Sequence, residues 1–140
     1  MLVLTFNDNE DEMFNRIMSY VSADVNQFSI KNVAQNVLTF FELKIDINKR
    51  MVIKQTSEVK LTFIEFEILL LLAKNAGMVF SKEQIYDIVW KEPYFGDYNI
   101  VMSHIRNIRE KIEDNPSKPV YIQTVWGVGY RFNKNMGSGL

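Results

Sequence analysis

No cysteine occurs anywhere in the 140-residue chain, so disulfide staples and thiolate metal sites are excluded, and the composition suits a reducing cytoplasm. Histidine is almost as scarce. His104 stands alone, which leaves no material for a His-based metal cluster or for a Ser-His or Cys-His nucleophilic unit. No catalytic residue, metal or cofactor is therefore expected. Long apolar runs are missing too: no uncharged stretch reaches the ~18 residues that suggest a membrane helix, and no membrane association is expected. The opening MLVLTFNDNEDE lacks the basic start and small-residue cleavage site of a secretory leader. A dominant charge is also lacking. The net charge is −1, so attraction to a polyanion has to come from local clustering. Such clustering exists between residues 118 and 134, where the charged residues are Lys118, Arg131 and Lys134 with no acid among them. What is present, 47% hydrophobic and 24% charged residues over this length, suffices for one well-buried domain, or for a domain with a small appendage.

The rest of the chain is organised around residues 97–112, DYNIVMSHIRNIREKI. Val101, Ile105, Ile108 and Ile112 fall on one face of a 3.6-period helix. Asn99, Ser103, Arg106, Asn107 and Glu110 lie roughly opposite, with His104 and Lys111 on one flank. One apolar stripe docks the helix; amides, a hydroxyl, an imidazole and guanidiniums are then offered outward. A DNA major groove accepts such groups from an inserted helix. The same pattern also describes an ordinary amphipathic surface helix, and the flanking sequence has to decide between them.

In chain order, residues 2–6 read as a strand and Asp8 or Asn9 as the cap of a following helix, whose apolar side is Met13, Ile17, Met18 and Val21. Residues 27–33 read as a second strand, and residues 36–39 as a connection to the next unit. From residue 40 a period-2 rhythm begins: Phe41, Leu43, Ile45 and Ile47 alternate with Glu42, Lys44 and Asp46. With residues 51–55 and 58–61 this predicts an antiparallel sheet of three or four strands. Thr62 and Glu65 form a capping box before FEILLLLAKNAG, a helix apolar nearly all round that Asn75 and Gly77 terminate. Ser81 and Gln84 form a second box, ahead of a helix whose inner side is Ile85, Ile88 and Val89 and which Trp90 closes. Pro93 and Gly96 mark a loop; Asp97 or Asn99 caps the organising helix, and Asn115, Pro116 and Pro119 end it. Residues 120–132 read as a hairpin with a glycine-relaxed tip, and residues 133–140 have the composition of a tail.

Helix, short link, helix, loop, amphipathic helix and basic hairpin compose a winged helix-turn-helix. Four motifs then resemble one family in order and spacing: L-T-x-x-E-F at residues 61–66, V-x-S-x-E-Q at 79–84, H-I-R-x-I-R at 104–109 and T-V-x-G-x-G-Y-R at 124–131. Together they look like the DNA-binding effector domain of OmpR/PhoB-type response regulators, over residues 41–133. The expected fold is thus α+β: a winged helix-turn-helix with an N-terminal antiparallel sheet, a three-helix core and a C-terminal hairpin wing. The expected domains are a β-α-β extension at 1–39, the winged helix at 40–134 and a flexible tail at 135–140.

The resemblance implies a cytoplasmic, sequence-specific regulator of transcription whose partner is double-stranded DNA. Residues 99–112 would enter the major groove, with Ile100, Ser103, His104 and Asn107 approaching base edges. Lys82, Trp90, Asn99, Arg106, Arg109, Lys111 and Tyr130 would meet the backbone, setting register. The wing would bring Thr124, Trp126 and Gly127 to the minor groove. Tyr94 and Phe95, in the loop before the organising helix, match a segment through which relatives touch RNA polymerase. The chain departs from better-known members at Ile100, where Thr is usual, at Asn107, where Arg is frequent, and at Trp126, where some carry a groove-reading Arg. An indole wedges or stacks but supplies no cation.

Plainer roles stand beside these. His104 and Trp90 can serve packing, Arg109 can pair with Glu113 four residues on, and Trp126 can belong to a protein interface. Family members usually carry a phosphoreceiver domain, and here residues 7–10 only faintly resemble its acidic pocket. No phosphoryl transfer and no phosphorylation control of the chain is expected. The extension reads as a receiver remnant, a packing flap or a homodimerisation unit, with dimerisation there or on DNA favoured by its unpaired sheet edges. The competing function is a winged-helix protein-interaction module.

Overall fold

The computed structural model describes residues 36–91, 97 and 99–136. The expected elements between residues 1 and 35, Tyr94 and Phe95, and the tail beyond residue 136 lie outside the described residues. From Val37 onward the described residues belong to one unit of the chain.

Strands β1 (Val37–Phe40), β2 (Leu43–Asp46), β3 (Met51–Lys54) and β4 (Ser57–Val59) form an antiparallel sheet in chain order. The register sets Leu38 opposite Ile45, Ile45 opposite Val52 and Val52 opposite Val59. One row of aliphatic side chains therefore crosses all the strands on the core face. The first strand takes residues 37–39, which read from sequence as a connection. Phe41, expected inside a strand, instead turns the chain at φ 44° and is 70% exposed. Arg50 (φ 50°) and Gln55 (φ 57°) make the other two tight turns. Each left-handed non-glycine residue costs about 1–2 kcal/mol, offset here by local bonds. The Gln55 N–H donates to the Glu42 carbonyl at 2.7 Å, and the Lys49 N–H donates to Asp46 Oδ1 at 3.0 Å.

Helix α1 (Phe63–Lys74) opens on the expected reciprocal box. The Glu65 N–H reaches Thr62 Oγ1 at 3.2 Å, and the Thr62 N–H reaches Glu65 Oε1 at 3.0 Å. Phe66, Ile68, Leu69 and Leu72 are buried, while Leu70 and Leu71 are only partly so. Asn75 ends the helix, its side chain donating to the Leu71 carbonyl at 2.8 Å. Helix α2 (Lys82–Trp90) has the second box, Ser81 with Gln84. Its buried face is Ile85, Tyr86 and Val89; Ile88, expected inside, is 48% exposed. The buried face is turned toward Tyr86, whose ring joins the core.

Helix α3 (Asn99–Ile112) buries Val101, Ile105, Ile108 and Ile112 at 1% exposure or less and packs on α1 and α2. Asp97, rather than Asn99, supplies the side-chain cap, accepting the Asn99 N–H at 3.2 Å. At the other end Lys54 Nζ donates to the Ile112 carbonyl at 2.7 Å and to Asp114 Oδ1 at 2.6 Å, placing a cation where the helix dipole favours one.

The hairpin β5 (Ile122–Val125) and β6 (Gly129–Phe132) follows. The link before α2 joins it: Phe80 and Tyr130 exchange both backbone bonds, at 2.8 and 2.9 Å. Gly129 is required there, because a Cβ would lie 2.0 Å from the Phe80 carbonyl oxygen. Phe132 reaches back to Phe40 of β1, ring centroids 4.5 Å apart, so sheet, helices and hairpin share one core. Residues at the start of the expected tail are ordered by pairing: Asn133 bonds Val120 and Tyr121, and Lys134–Met136 makes a 3-10 turn.

Two glycine substitutions separate docking from turn geometry. Gly129→Ala forces backbone against backbone and is expected to cost roughly 3 kcal/mol. Gly127→Ala meets nothing within 4 Å but keeps a φ of +78°, so about 1 kcal/mol is expected. Urea midpoints of the two variants check the ordering.

Candidate nucleic-acid interface

Because the isoleucine stripe of α3 faces inward, its opposite side faces solvent. Asn99, Arg106, Asn107 and Glu110 are exposed, as is Met102, which the sequence reading passed over. Ser103 and His104 are half-buried on the flanks. Ile100 is half-buried against the core, which leaves only part of its side chain free for a thymine methyl.

A hollow of about 460 Å³ lies between this face and the hairpin, lined by Asn99, Ser103, Arg106, Arg109, Pro116 and Tyr130 among others. A second, of about 490 Å³, continues along the hairpin past Gln123, Thr124 and Arg131 to Trp126. The two share Arg109 and Pro116, and among the described residues no acidic side chain lines either.

Arg109 stands where they meet. Its Nε and Nη2 donate to the Ile122 carbonyl at 3.2 and 2.9 Å, and Nη2 also donates to Thr124 Oγ1 at 2.8 Å. Its guanidinium sits 5.6 Å from the Tyr130 ring centroid. Burial pulls the Arg109 pKa down while Tyr130 and Glu113 oppose the shift, and burial pushes the Tyr130 phenol up. The simple alternative, an Arg109–Glu113 pair along the helix, is not what forms. Both Glu113 oxygens instead accept backbone N–H groups of Val120, Tyr121 and Ile122 at 2.7–3.1 Å. Glu113 thus ties the end of α3 to the start of β5, and Arg109 ties its middle to the strand itself.

Lys111, expected at phosphate, is engaged elsewhere: its ammonium lies 2.6 Å from Glu65 Oε1. Glu65 is 3% exposed. Burial alone would raise its pKa, but the hydrogen bonds from Lys111 and the Thr62 N–H, with the charges of Lys111 and His104, outweigh it and hold the carboxyl below its ordinary 4.5. His104 packs on Trp90 at 5.6 Å, and Trp90 stacks on Tyr86 at 4.7 Å. The buried His104 Nδ1 has no hydrogen-bond partner among the described residues. Lys82 lies half-buried at the start of α2. On the hairpin Thr124 is half-buried, Tyr130 is buried and Gly127 exposed, while Trp126 is 89% exposed at the tip. Glu113 and the long reach of Glu65 were not legible in the sequence: the capping box identifies Glu65, but nothing local connects it to Lys111.

Among the described residues no group of three or more His, Asp or Glu side chains is arranged to hold a metal ion, and no helix is long and apolar enough to cross a membrane.

A sheet, three helices in which the third shows a polar face, and a hairpin packed beside it define a winged helix-turn-helix protein. The family model described as "Transcriptional regulatory protein, C terminal" matches residues 56–132. The transcriptional regulatory protein YcbL of Bacillus subtilis is 47% identical over 109 residues, 77% of this chain and 48% of YcbL. Among solved structures, the Thermotoga maritima response regulator DrrB, an OmpR/PhoB homolog, is 41% identical with a TM-score of 0.65, over 70% of this chain and 44% of DrrB. The Klebsiella pneumoniae RstA DNA-binding domain, solved in complex with the RstA box, is 30% identical at a TM-score of 0.65, over 69% of this chain and 96% of that domain. The chain belongs to the OmpR/PhoB family of transcriptional regulators and contains its DNA-binding domain. It spans about half the length of the curated relatives it matches.

The depressed Glu65 pKa has a sign that can be checked. Its contribution to stability is complete above the unfolded carboxylate pKa and is lost as pH falls through the lower folded value. The thermal stability of wild type is therefore expected to fall on acidification below about pH 4.5 more steeply than that of Glu65→Gln. Parallel pH profiles for the two proteins would contradict the assignment.

Proposed function

We propose that the chain is a sequence-specific regulator of transcription in which α3 enters the major groove and the β5–β6 hairpin lies at the minor groove and backbone. The observation that carries this reading is the division of α3: it buries only its isoleucine stripe and leaves Asn99, Arg106 and Asn107 in solvent, beside two hollows that no acid lines among the described residues. That a related domain, RstA's, is seen with its DNA box supports it.

Asn107 pairs with adenine through its amide, and Ser103, His104 and part of Ile100 approach neighbouring edges. Arg106 and Asn99 meet phosphates, with Lys82 at the α2 N-terminus and Trp90 and Tyr130 flanking. Arg109 acts mainly as the brace between helix and hairpin. Lys111, held by Glu65, contributes to the position of α3 and not to the phosphate count. Two copies occupy half-sites about one helical turn apart, roughly 10 to 10.5 bp, and Tyr94 and Phe95 face RNA polymerase. The chain carries out no enzymatic reaction. Binding does not depend on its phosphorylation.

Duplexes selected from a random pool, titrated by fluorescence anisotropy at increasing salt, test this. Log affinity is expected to fall linearly with log salt. Arg106→Ala weakens all sequences alike and lowers the slope by about 0.9, whereas Lys111→Ala leaves the slope unchanged and lowers the unfolding midpoint. Asn107→Ala relaxes a single base position, a loss of about 1–3 kcal/mol against the preferred base. Exposure to a small-molecule phosphodonor leaves affinity unchanged. A salt-independent affinity, or equal slope losses for Arg106→Ala and Lys111→Ala, would overturn this assignment of roles.

A further inference from the structure

We propose that the hairpin tip is an apolar wedge. The indole of Trp126, backed by Val128, enters the minor groove and parts a base step, so that at this position the protein reads how easily its site deforms. The proposal rests on the DNA-binding reading above and specifies what the tip does there.

Trp126 is 89% and Val128 57% exposed, a cost in water for side chains of this type unless something covers them. They stand on a supported arm. The Val128 N–H closes the tip on the Val125 carbonyl at 2.9 Å, with Gly127 at φ +78° supplying the turn. The base of the hairpin is clamped twice, by the Phe80–Tyr130 backbone pair and by the Arg109 bonds to Ile122 and Thr124. A wedge needs such backing, because unstacking a base step costs free energy that a slack loop would yield to.

The surroundings choose the occupant. The hollow running from Arg109 to Trp126 is lined by Gln123 and Arg131 and, among the described residues, by no acid, and Lys118 is exposed nearby in sequence. An apolar point within a cationic, polar margin complements a polyanion whose interior offers flat apolar slots, which is the make-up of duplex DNA. Two exposed apolar side chains are too few for a stable protein interface, which needs on the order of 800 Å² from each partner. An indole brings no cation to the negative potential of a narrow groove, so it cannot read groove width as an arginine does. It can stack, and pyrimidine–purine steps open most readily. Insertion from the minor groove kinks the duplex toward the major groove, in the direction that wraps it onto α3.

The test uses the 140-residue chain and duplexes selected from a random pool, end-labelled for energy transfer to report bending and carrying 2-aminopurine at successive positions to report unstacking. Wild type is expected to bend the duplex and to brighten the probe at one TA or CA step. Trp126→Ala folds normally, since the side chain is exposed. It binds about tenfold more weakly, with bend, brightening and the preference for that step lost; Trp126→Phe keeps all three. Binding by wild type without bend or brightening, or their persistence in Trp126→Ala, refutes the wedge and leaves the DNA-binding reading standing. Failure to bind any duplex at low salt refutes both.

Discussion

Four aliphatic side chains, Val101, Ile105, Ile108 and Ile112, hold α3 against the core at 1% exposure or less, and the rotation they impose decides everything presented on the other side. Each stabilises by about 1.5–3 kcal/mol relative to an exposed position. Turning the helix by a single residue would expose part of this stripe and drive Asn or Arg side chains into an apolar interior. The helix is therefore seated in one orientation. Asn99, Arg106 and Asn107 face outward as a consequence of what Ile105 and Ile108 require.

Polar contacts then fix what the stripe leaves free. An aliphatic seam resists rolling but is less demanding about sliding and tilt, and three charged groups supply those constraints. Lys54 holds the α3 C-terminus through the Ile112 carbonyl, Lys111 ties the same turn to the capped start of α1 through Glu65, and Glu113 gathers the first N–H groups of the hairpin. Arg109 extends the framework to the wing. Cations and anions that would otherwise belong to the surface are spent inside the domain. The face left over is smaller and more selective in charge than the composition of α3 suggests, with Arg106 as the fully outward guanidinium of that helix.

Much of this was legible from residue order. The stripe of α3, both capping boxes, the glycine-tipped hairpin and the four spaced motifs all depend on spacings of a few residues, where the backbone period alone decides which side chains are neighbours. The misreadings came where two patterns competed. Phe41 continued an alternation that the chain breaks by turning there, so that strand begins only at Leu43 and a further strand occupies residues 37–40. Ile88 fitted the apolar spacing of α2, yet the buried face takes Tyr86 on its other edge and leaves Ile88 48% exposed. For Lys111 and Arg109, expected at the DNA backbone, the helix period gives the direction in which a side chain leaves but not Glu65 or the Ile122 carbonyl that it meets.

The sequence by itself determined which segments become helix, strand and wing, and which edge of α3 is apolar, since these follow from local periodicity, caps and turn residues. The tertiary structure alone decided the distant partners of several charges. Glu65 and Lys111 are 46 residues apart, and Lys54 and Ile112 are 58 apart. Whether such groups come within hydrogen-bonding distance depends on how helices and sheet pack together, which no local repeat encodes. It decided equally that Trp126 stands 89% exposed at the hairpin tip, because burial is a property of the assembled surface and not of the residue.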